Sequence, residues 1–285
     1  MKNISAGTSH IMVCREIWKN SQFFSKAALS ILPVIDFRPD IIHCHDWQTG
    51  LIPVYLKERF QGSDFYRGIK SVMTIHNLKF QGVWDIKTVK SITGLSDYFF
   101  TPDKLEANKD ANYLKGGLVY ADAITTVSNT YAEEIKTPFY GEGLDGLMQA
   151  RSNSLRGIVN GIDYAEYNPE TDAMIAMNYN AKTFRKEKVK NKTALQEELG
   201  LEVNPKAMML GVVSRLTDQK GFDLIAYMMD ELCQDAIQLV VLGTGEENMK
   251  ICSGILLGSM TKRFQQISII QKQCHIRSMR RQMHS

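Results

Sequence analysis

The chain has 285 residues, of which 44% are hydrophobic and 23% charged, which is typical of a water-soluble globular protein with room for two modest domains. Disorder and collagen are excluded, and no stretch approaches the roughly 20 apolar residues of a membrane span. The N-terminus shows no signal-peptide pattern, so we expect a cytoplasmic protein with no membrane partner. The five cysteines are scattered without CxxC spacing, which predicts free thiols and no zinc motif.

The first half of the chain alternates between helix-like and strand-like segments. Apolar residues at helical spacing and short β-branched runs predict helices over 21–32 and 51–60 and strands over 39–45, 71–76 and 123–127. The Thr101-Pro102-Asp103 sequence predicts a further helix, because it supplies a cap and a first-turn proline. This alternation indicates a parallel sheet covered by helices on both faces.

A second series of similar elements begins near residue 207. It is predicted to contain a strand over 208–213, a helix over 221–233 and a strand over 238–243. The segment 164–206 between the two series is polar and includes a charged helical stretch over 182–199. We therefore place a domain boundary at about residue 165 and expect an α/β protein of two Rossmann-like domains.

Two polar clusters follow predicted strands. In HCHDWQTG, His43 and His45 share a strand face with Asp46 beside them, which permits a metal site, a ligand crevice or a structural strand end. The crevice is favoured, because the carboxyl ends of strands in open α/β sheets line ligand sites and no third metal ligand is evident. In TIHNLKFQG, His76 and Asn77 occupy the equivalent position on the next strand, where an imidazole or amide can bond a sugar hydroxyl. Taken alone, this cluster is better explained as a capped strand end.

A third cluster, SRLTDQKGFDL, permits an anion site, although two cations in a loop are by themselves more often solvated surface residues. Arg215 and Lys220 lie in a loop before a helix that opens at Gly221, where free backbone N–H groups and the helix dipole add to the two cations. The next strand ends in LGTGEE, whose glycines permit a ligand to approach the backbone. Neither GxGxxG nor a Walker motif is present, so a dinucleotide or P-loop site is not supported.

Together these segments resemble the bacterial glycogen synthases and plant starch synthases. The segments IIHCHDWQTG, TIHNLKFQG, LKGGLVYADAITTVSNTYAEEI, GIVNGID, VVSRLTDQKGFDLI and VVLGTGEE occur in that order between residues 20 and 249. The resemblance implies a GT-B glycosyltransferase that moves glucose from ADP-glucose to the non-reducing end of an α-1,4-glucan with retention, using no metal and no cofactor. It also implies an acceptor-side domain over 1–165 and a nucleotide-sugar domain over 166–249.

The resemblance assigns roles to particular residues. It implies that Asp46 and His76 face the glucosyl unit and the acceptor, and that Arg215 and Lys220 grip the diphosphate and stabilise the leaving ADP. It implies substrate-binding roles for a further set: His45, Asn77, Gln81, Asn160, Gly243 and Gly245. The expected partners are ADP-glucose and a glycogen-like acceptor, without nucleic acid.

The chain departs from the family at both ends. The family's glycine-rich KTGGL-type loop and its glutamate-bearing segment after GTGEE are not found, so we expect both domains to be incomplete and the chain to be nearly inactive. Residues 251–285 carry six basic and no acidic residues, which leaves 28 basic against 31 acidic in the rest. Codons for 250–285 can be chosen so that a reading displaced by two bases resembles the family's continuation.

We therefore infer a frameshift near residues 249–250, and the basic charge of the tail need not indicate nucleic-acid binding. Such a tail is not expected to pack on the second sheet, which would leave a free strand edge near Val241. Two rival functions stay open from the sequence: another retaining GT-B enzyme, such as a sucrose- or trehalose-phosphate synthase, and a non-catalytic glucan-binding protein.

Overall fold

Two units divide the chain, Met1–Gly161 and Ile162–Ser285. The computed structural model describes residues 20–232 and 237–243, together with two short strands over 256–258 and 267–270. The sequence placed the boundary at about residue 165, four residues beyond Gly161.

The first unit is built on a parallel sheet of four strands in the order β1-β2-β6-β7. These strands span Ile41–His45 (β1), Lys70–Ile75 (β2), Ala123–Thr126 (β6) and Leu155–Gly157 (β7). The helices that alternate with them are residues 20–30 (α1), Leu51–Tyr55 (α2, extended by a π-helical turn over Leu56–Phe60), Ile86–Thr93 (α3), Tyr113–Tyr120 (α4), Asn129–Glu134 (α5) and Asp145–Ala150 (α6). The predicted strand and helix positions before residue 100 are confirmed, as is the strand at 123.

The core of this unit lies where α2 and α4 pack on the sheet. Cys44 on β1 pairs in register with Met73 on β2, and both side chains are fully buried, as is Ile124 on β6. Burial raises the pKa of the Cys44 thiol to about 12, so this free thiol is an inert packing residue. The other four cysteines lie outside the described residues.

The helix predicted after Thr101 is wrong. Residues 101–105 form a turn. The next two strands, Glu106–Ala107 (β4) and Asp110–Asn112 (β5), join Val83–Asp85 (β3) in a three-stranded antiparallel sheet with the order β3-β5-β4. Asn108 and Lys109 join β4 to β5 with φ angles of 55° and 72°, a left-handed pair typical of a tight hairpin. Pairing of β5 with β3, which is distant in sequence, outweighs the local capping signal.

The second unit contains the elements predicted after residue 180. Helix α7 spans Phe184–Glu198, strand β8 spans Met208–Val213, helix α8 spans Phe222–Leu232 and strand β9 spans Ile237–Leu242. Strands β8 and β9 are parallel, with Leu210 opposite Leu239. A small apolar cluster around Phe222, Leu239 and Val241 forms the core between α8 and the sheet.

In the second sheet, β9 pairs with a strand that the sequence did not predict. Strands over Leu256–Gly258 (β10) and Ile267–Ile270 (β11) complete the order β10-β11-β9-β8, and β11 runs antiparallel to β9 with Ser268 opposite Val241. The expectations of a tail that does not pack and of a free edge at Val241 are therefore wrong. The reason is that an open strand edge offers unpaired backbone N–H and C=O groups to any extended segment, whatever its origin.

Helices in the described part of the chain are too short or too polar to cross a bilayer.

Candidate functional site

The first cluster of predicted site residues gathers at the carboxyl ends of β1 and β2. The parallel register sets His45 opposite Thr74, so that Asp46 and His76 lie just beyond the ends of the two strands. His43 and His45 share a face of β1, as the two-residue period predicted, with ring centroids 4.2 Å apart. Asp46, His45 and His76 are therefore brought together by strand pairing alone.

Asp46 turns the chain sharply where β1 ends. Its backbone has φ 53° and ψ −172°, a conformation that residues other than glycine rarely adopt. Its backbone N–H donates to the Thr74 carbonyl at 2.9 Å, and its carboxylate accepts from the backbone N–H of His76 at 2.8 Å. These two bonds hold the strained turn and fix the carboxylate beside the end of β2.

The rings of His45 and His76 are joined directly. His45 Nδ1 lies 3.0 Å from His76 Nε2, and the rings are stacked with centroids 5.3 Å apart. Thr49 secures the backbone of His45 on both sides, since its hydroxyl accepts from the His45 N–H at 2.7 Å and donates to the His45 carbonyl at 2.8 Å. Thr49 was not predicted as a site residue, although its position in a 3₁₀ turn directly after the polar cluster is a usable signal.

A second polar chain runs beneath this pair across three strands. His43 Nε2 lies 2.6 Å from Thr74 Oγ1, which lies 2.6 Å from Thr125 Oγ1 on β6. Partial burial, followed by the neighbouring His43 and His76 rings, lowers the pKa of His45 against the opposing effect of Asp46, so the neutral form of this ring is favoured. The cluster thus places three hydrogen-bonding imidazoles beside one carboxylate.

Asn77 and Gln81 form hydrogen bonds that stabilise the loop after β2. The Asn77 carboxamide oxygen accepts from the Lys79 N–H at 3.0 Å, forming a local turn. The Gln81 amide is engaged at both ends: its nitrogen donates to the Glu142 carbonyl at 2.9 Å, and its oxygen accepts from the Asn112 amide at 2.6 Å. Gln81 therefore links the loop after β2 to the end of β5 and to the loop that contains Glu142, and its predicted role in binding substrate stays a prediction.

Asn112 is a residue of this region that the sequence reasoning missed. It caps α4 by accepting from the Lys115 N–H at 2.8 Å, while its amide reaches Gln81. A helix-capping asparagine before an apolar run is a recognisable signal of this role. Asn160, by contrast, is exposed three residues beyond β7, and the structure gives it no link to the histidine cluster.

The second cluster of predicted residues belongs to the second unit. Arg215 and Lys220 lie in the loop between β8 and α8, both exposed, and Gly221 turns the chain into α8 with a φ of 66°. Among the described residues, neither cation forms an ion pair. Both cations therefore precede the start of α8, and their role in an anion site stays a prediction.

Close backbone packing within the protein requires glycine at position 243, directly after β9. A β-carbon at this position would collide with the carbonyl of Ser214, which follows β8. Glycine therefore allows the ends of β8 and β9 to approach each other, and its predicted approach to the nucleotide stays a prediction. Gly245 lies outside the described residues.

A groove of about 910 Å³ in the second unit lies elsewhere, between α7 and the β8–β9 pair. Its walls are mainly apolar and include Val189, Leu195, Val212 and Leu242, whereas Arg215 and Lys220 do not line it. In the described part of the chain, no three His, Cys, Asp or Glu side chains are placed to hold one metal ion.

Comparison with known proteins identifies the family. The family model for the starch synthase catalytic domain matches residues 15–150. Over 225 residues, 79% of this chain, the sequence is 75% identical to a glycogen synthase of Lachnospira eligens and 67% identical to one of Lachnoclostridium phytofermentans. The chain spans about half the length of these curated relatives, 47% in each case.

The structure gives a concordant result. It is similar to the catalytic domain of starch synthase IV from Arabidopsis thaliana bound to ADP and acarbose, with a TM-score of 0.75 and 32% identity over 82% of this chain and 48% of that one. This likeness confirms the predicted α/β, GT-B class of glycosyltransferase, and the two rival functions are not favoured. From its matching sequence and its fold, the chain belongs to the family of bacterial glycogen synthases and plant starch synthases.

Proposed function

We propose that this chain carries part of the machinery of a retaining α-1,4-glucan synthase, which transfers glucose from ADP-glucose to the non-reducing end of a glycogen-like acceptor. The observation that carries the proposal is the joined Asp46, His45 and His76 cluster at the carboxyl edge of the parallel sheet. Hydrogen-bond donors and acceptors bind sugar hydroxyls, and a negative charge stabilises positive charge that develops at a reacting carbon. The imidazoles and the carboxylate of this cluster are groups of these two kinds.

Asp46 and His76 are proposed to contact the glucosyl unit. The Asp46 carboxylate already accepts one backbone hydrogen bond, and its remaining lone pairs are available to a sugar hydroxyl or to positive charge that develops at the anomeric carbon. The His76 ring is exposed, so that its second nitrogen can reach a ligand. Asn77 and Asn160 are proposed to complete the sugar-binding surface.

Arg215 and Lys220 are proposed to hold the diphosphate of the donor. Negative charge on the departing nucleoside diphosphate grows as the glycosidic bond breaks, and two cations at the start of α8 stabilise that charge. This electrostatic role needs neither a metal nor a cofactor. Gly243 and Gly245 are proposed to let the nucleotide approach the backbone.

The proposal is tested in a chimera, because this chain spans only about half the length of its relatives. The 225 matching residues replace their counterparts in the Lachnospira eligens glycogen synthase, and transfer of labelled glucose to glycogen is measured with ADP-glucose and with UDP-glucose. We expect transfer from ADP-glucose and its loss in Asp46→Ala and His76→Ala variants. An inactive but folded chimera that still binds glycogen would support a glucan-binding protein instead.

A further inference from the structure

The hydrogen bond between His45 and His76 restricts which ring nitrogens of the pair can carry a proton. Each neutral imidazole carries one N–H and one bare nitrogen, so the 3.0 Å contact between His45 Nδ1 and His76 Nε2 requires one proton between them. If His76 Nε2 carries it, His76 Nδ1 is an acceptor. If His45 Nδ1 carries it, His76 Nδ1 is a donor. Each arrangement couples the tautomer of His76 to that of His45, and in both of them Nδ1 is the free nitrogen of His76.

His45 is the better anchored of the two rings. Its backbone is held on both sides by Thr49, and its ring packs on His43, which is itself tied to Thr74 and through it to Thr125. Both rings are exposed, but among the described residues the one hydrogen bond of His76 apart from that to His45 is the bond from its backbone N–H to Asp46. The better-anchored ring of His45 therefore orients the ring of His76.

We propose that His45 is a positioning residue, which fixes through its Nδ1 the ring orientation and tautomer of His76, so that His76 presents Nδ1 to the ligand. This differs from the substrate-binding role implied for His45 by the family resemblance. The inference deepens the proposed function and rests on it only for the identity of the ligand, since the hydrogen bond exists without a sugar. An imidazole held by a neighbour presents its free nitrogen to a ligand in one fixed direction, which a freely rotating ring does not.

The test is a spectroscopic measurement on the full 285-residue chain without a sugar. The chain has six histidines, so ¹⁵N-histidine labelling and single substitutions assign the ring signals of His76 in long-range ¹H–¹⁵N spectra. At pH 7.5 we expect one fixed tautomer in the unsubstituted chain and averaged nitrogen shifts in His45→Ala. His45→Phe keeps a ring without nitrogen and should give the same averaging, which separates loss of the hydrogen bond from loss of packing.

Rescue provides the sharper comparison. His45→Asn places an amide near the position of Nδ1 and should restore the fixed tautomer, whereas His45→Gln places its amide one bond farther and should not. Lys79→Ala, an exposed substitution in the same loop, is the control and should leave the His76 signals unchanged. Averaged shifts in the unsubstituted chain, or an unchanged tautomer in both His45→Ala and His45→Phe, would overturn the inference.

A kinetic measurement in the chimera adds a second readout. His45→Ala should lower kcat about tenfold with less than about a twofold change in KM, as expected for a misoriented group at the reacting centre, and His45→Asn should recover most of the loss. An inactive chimera contradicts the proposed function and leaves the spectroscopic result standing. An active chimera in which His76 is not locked contradicts only the inference about His45.

Discussion

The carboxylate of Asp46 accepts a 2.8 Å hydrogen bond from the backbone N–H of His76, which joins the ends of two adjacent parallel strands. This bond is formed at a residue whose φ of 53° is unfavourable for any side chain. The favourable hydrogen bond and the unfavourable backbone conformation thus occur at the same position, and substitution can separate them.

Replacement of Asp46 by alanine and by glycine should have different effects on stability. Asp46→Ala loses the hydrogen bond and keeps the strain, so the free energy of unfolding should fall by about 1–2 kcal/mol. Asp46→Gly also loses the bond but relieves strain of about 1–3 kcal/mol, so it should be clearly more stable than Asp46→Ala. Urea denaturation of the full chain measures both, and equal losses in the two variants would contradict a strained backbone.

Gly50 should be among the least replaceable positions of the first unit. It precedes α2, and a β-carbon there would collide with the backbone carbonyl of Tyr113 at the start of α4. Because a backbone atom cannot move aside cheaply, Gly50→Ala should lower the free energy of unfolding by about 2–3 kcal/mol. The matched control is Gly146→Ala in α6, where the space is open and alanine should stabilise the helix by about 0.5–1 kcal/mol. Thermal unfolding of both variants checks the contrast.

The stability of the first unit should fall below neutral pH because of His45. Partial burial and the neighbouring imidazoles of His43 and His76 lower the pKa of His45 from 6.5, while Asp46 opposes this shift. Between the lowered pKa and 6.5 the unfolded chain binds more protons than the folded chain, so stability decreases as the pH falls through this window. The effect should be small, since the ring is exposed.

The pH effect is measured by urea denaturation at pH 7.5, 6.5 and 5.5. His45→Asn does not titrate in this range and should show a flatter dependence. The carboxylates with a lowered pKa, Asp85, Asp103 and Asp122, contribute only below about pH 4 and do not interfere. An identical slope in both proteins would show that His45 is not responsible.

Lys220 should matter for turnover in the active chimera. If it holds the donor diphosphate with Arg215, Lys220→Ala should cost about 1.5–3 kcal/mol of transition-state stabilisation, most of it in kcat, because charge on the nucleotide grows as the bond breaks. Lys186→Ala, on the exposed face of α7, is the matched control and should change neither kcat nor KM. Unchanged kinetics for Lys220→Ala would return this lysine to an ordinary surface role.

Local pattern was sufficient to predict the strands and helices that carry the site. Five of the predicted apolar runs form β1, β2, β6, β8 and β9, and their bounds agree with the prediction within two residues at either end. The agreement arises because a strand inside a sheet needs a continuous apolar stretch wherever it pairs. The two-residue period also placed His43 and His45 on one face. Likewise, the polar residues at strand ends were correctly expected at one edge of the sheet, since parallel strands bring their carboxyl ends together.

Contacts between distant residues were decided only by the tertiary structure. The pairing of β5 with β3 replaced a locally favoured helix after Thr101, and β11 covered an edge of β9 that we expected to be free. The bonds from His45 to His76 and from Gln81 to Glu142 join residues 31 and 61 positions apart. Sequence periodicity reports which face of an element is buried, whereas a hydrogen bond between two side chains depends on register and distance between elements, and those are fixed only when the whole sheet has assembled.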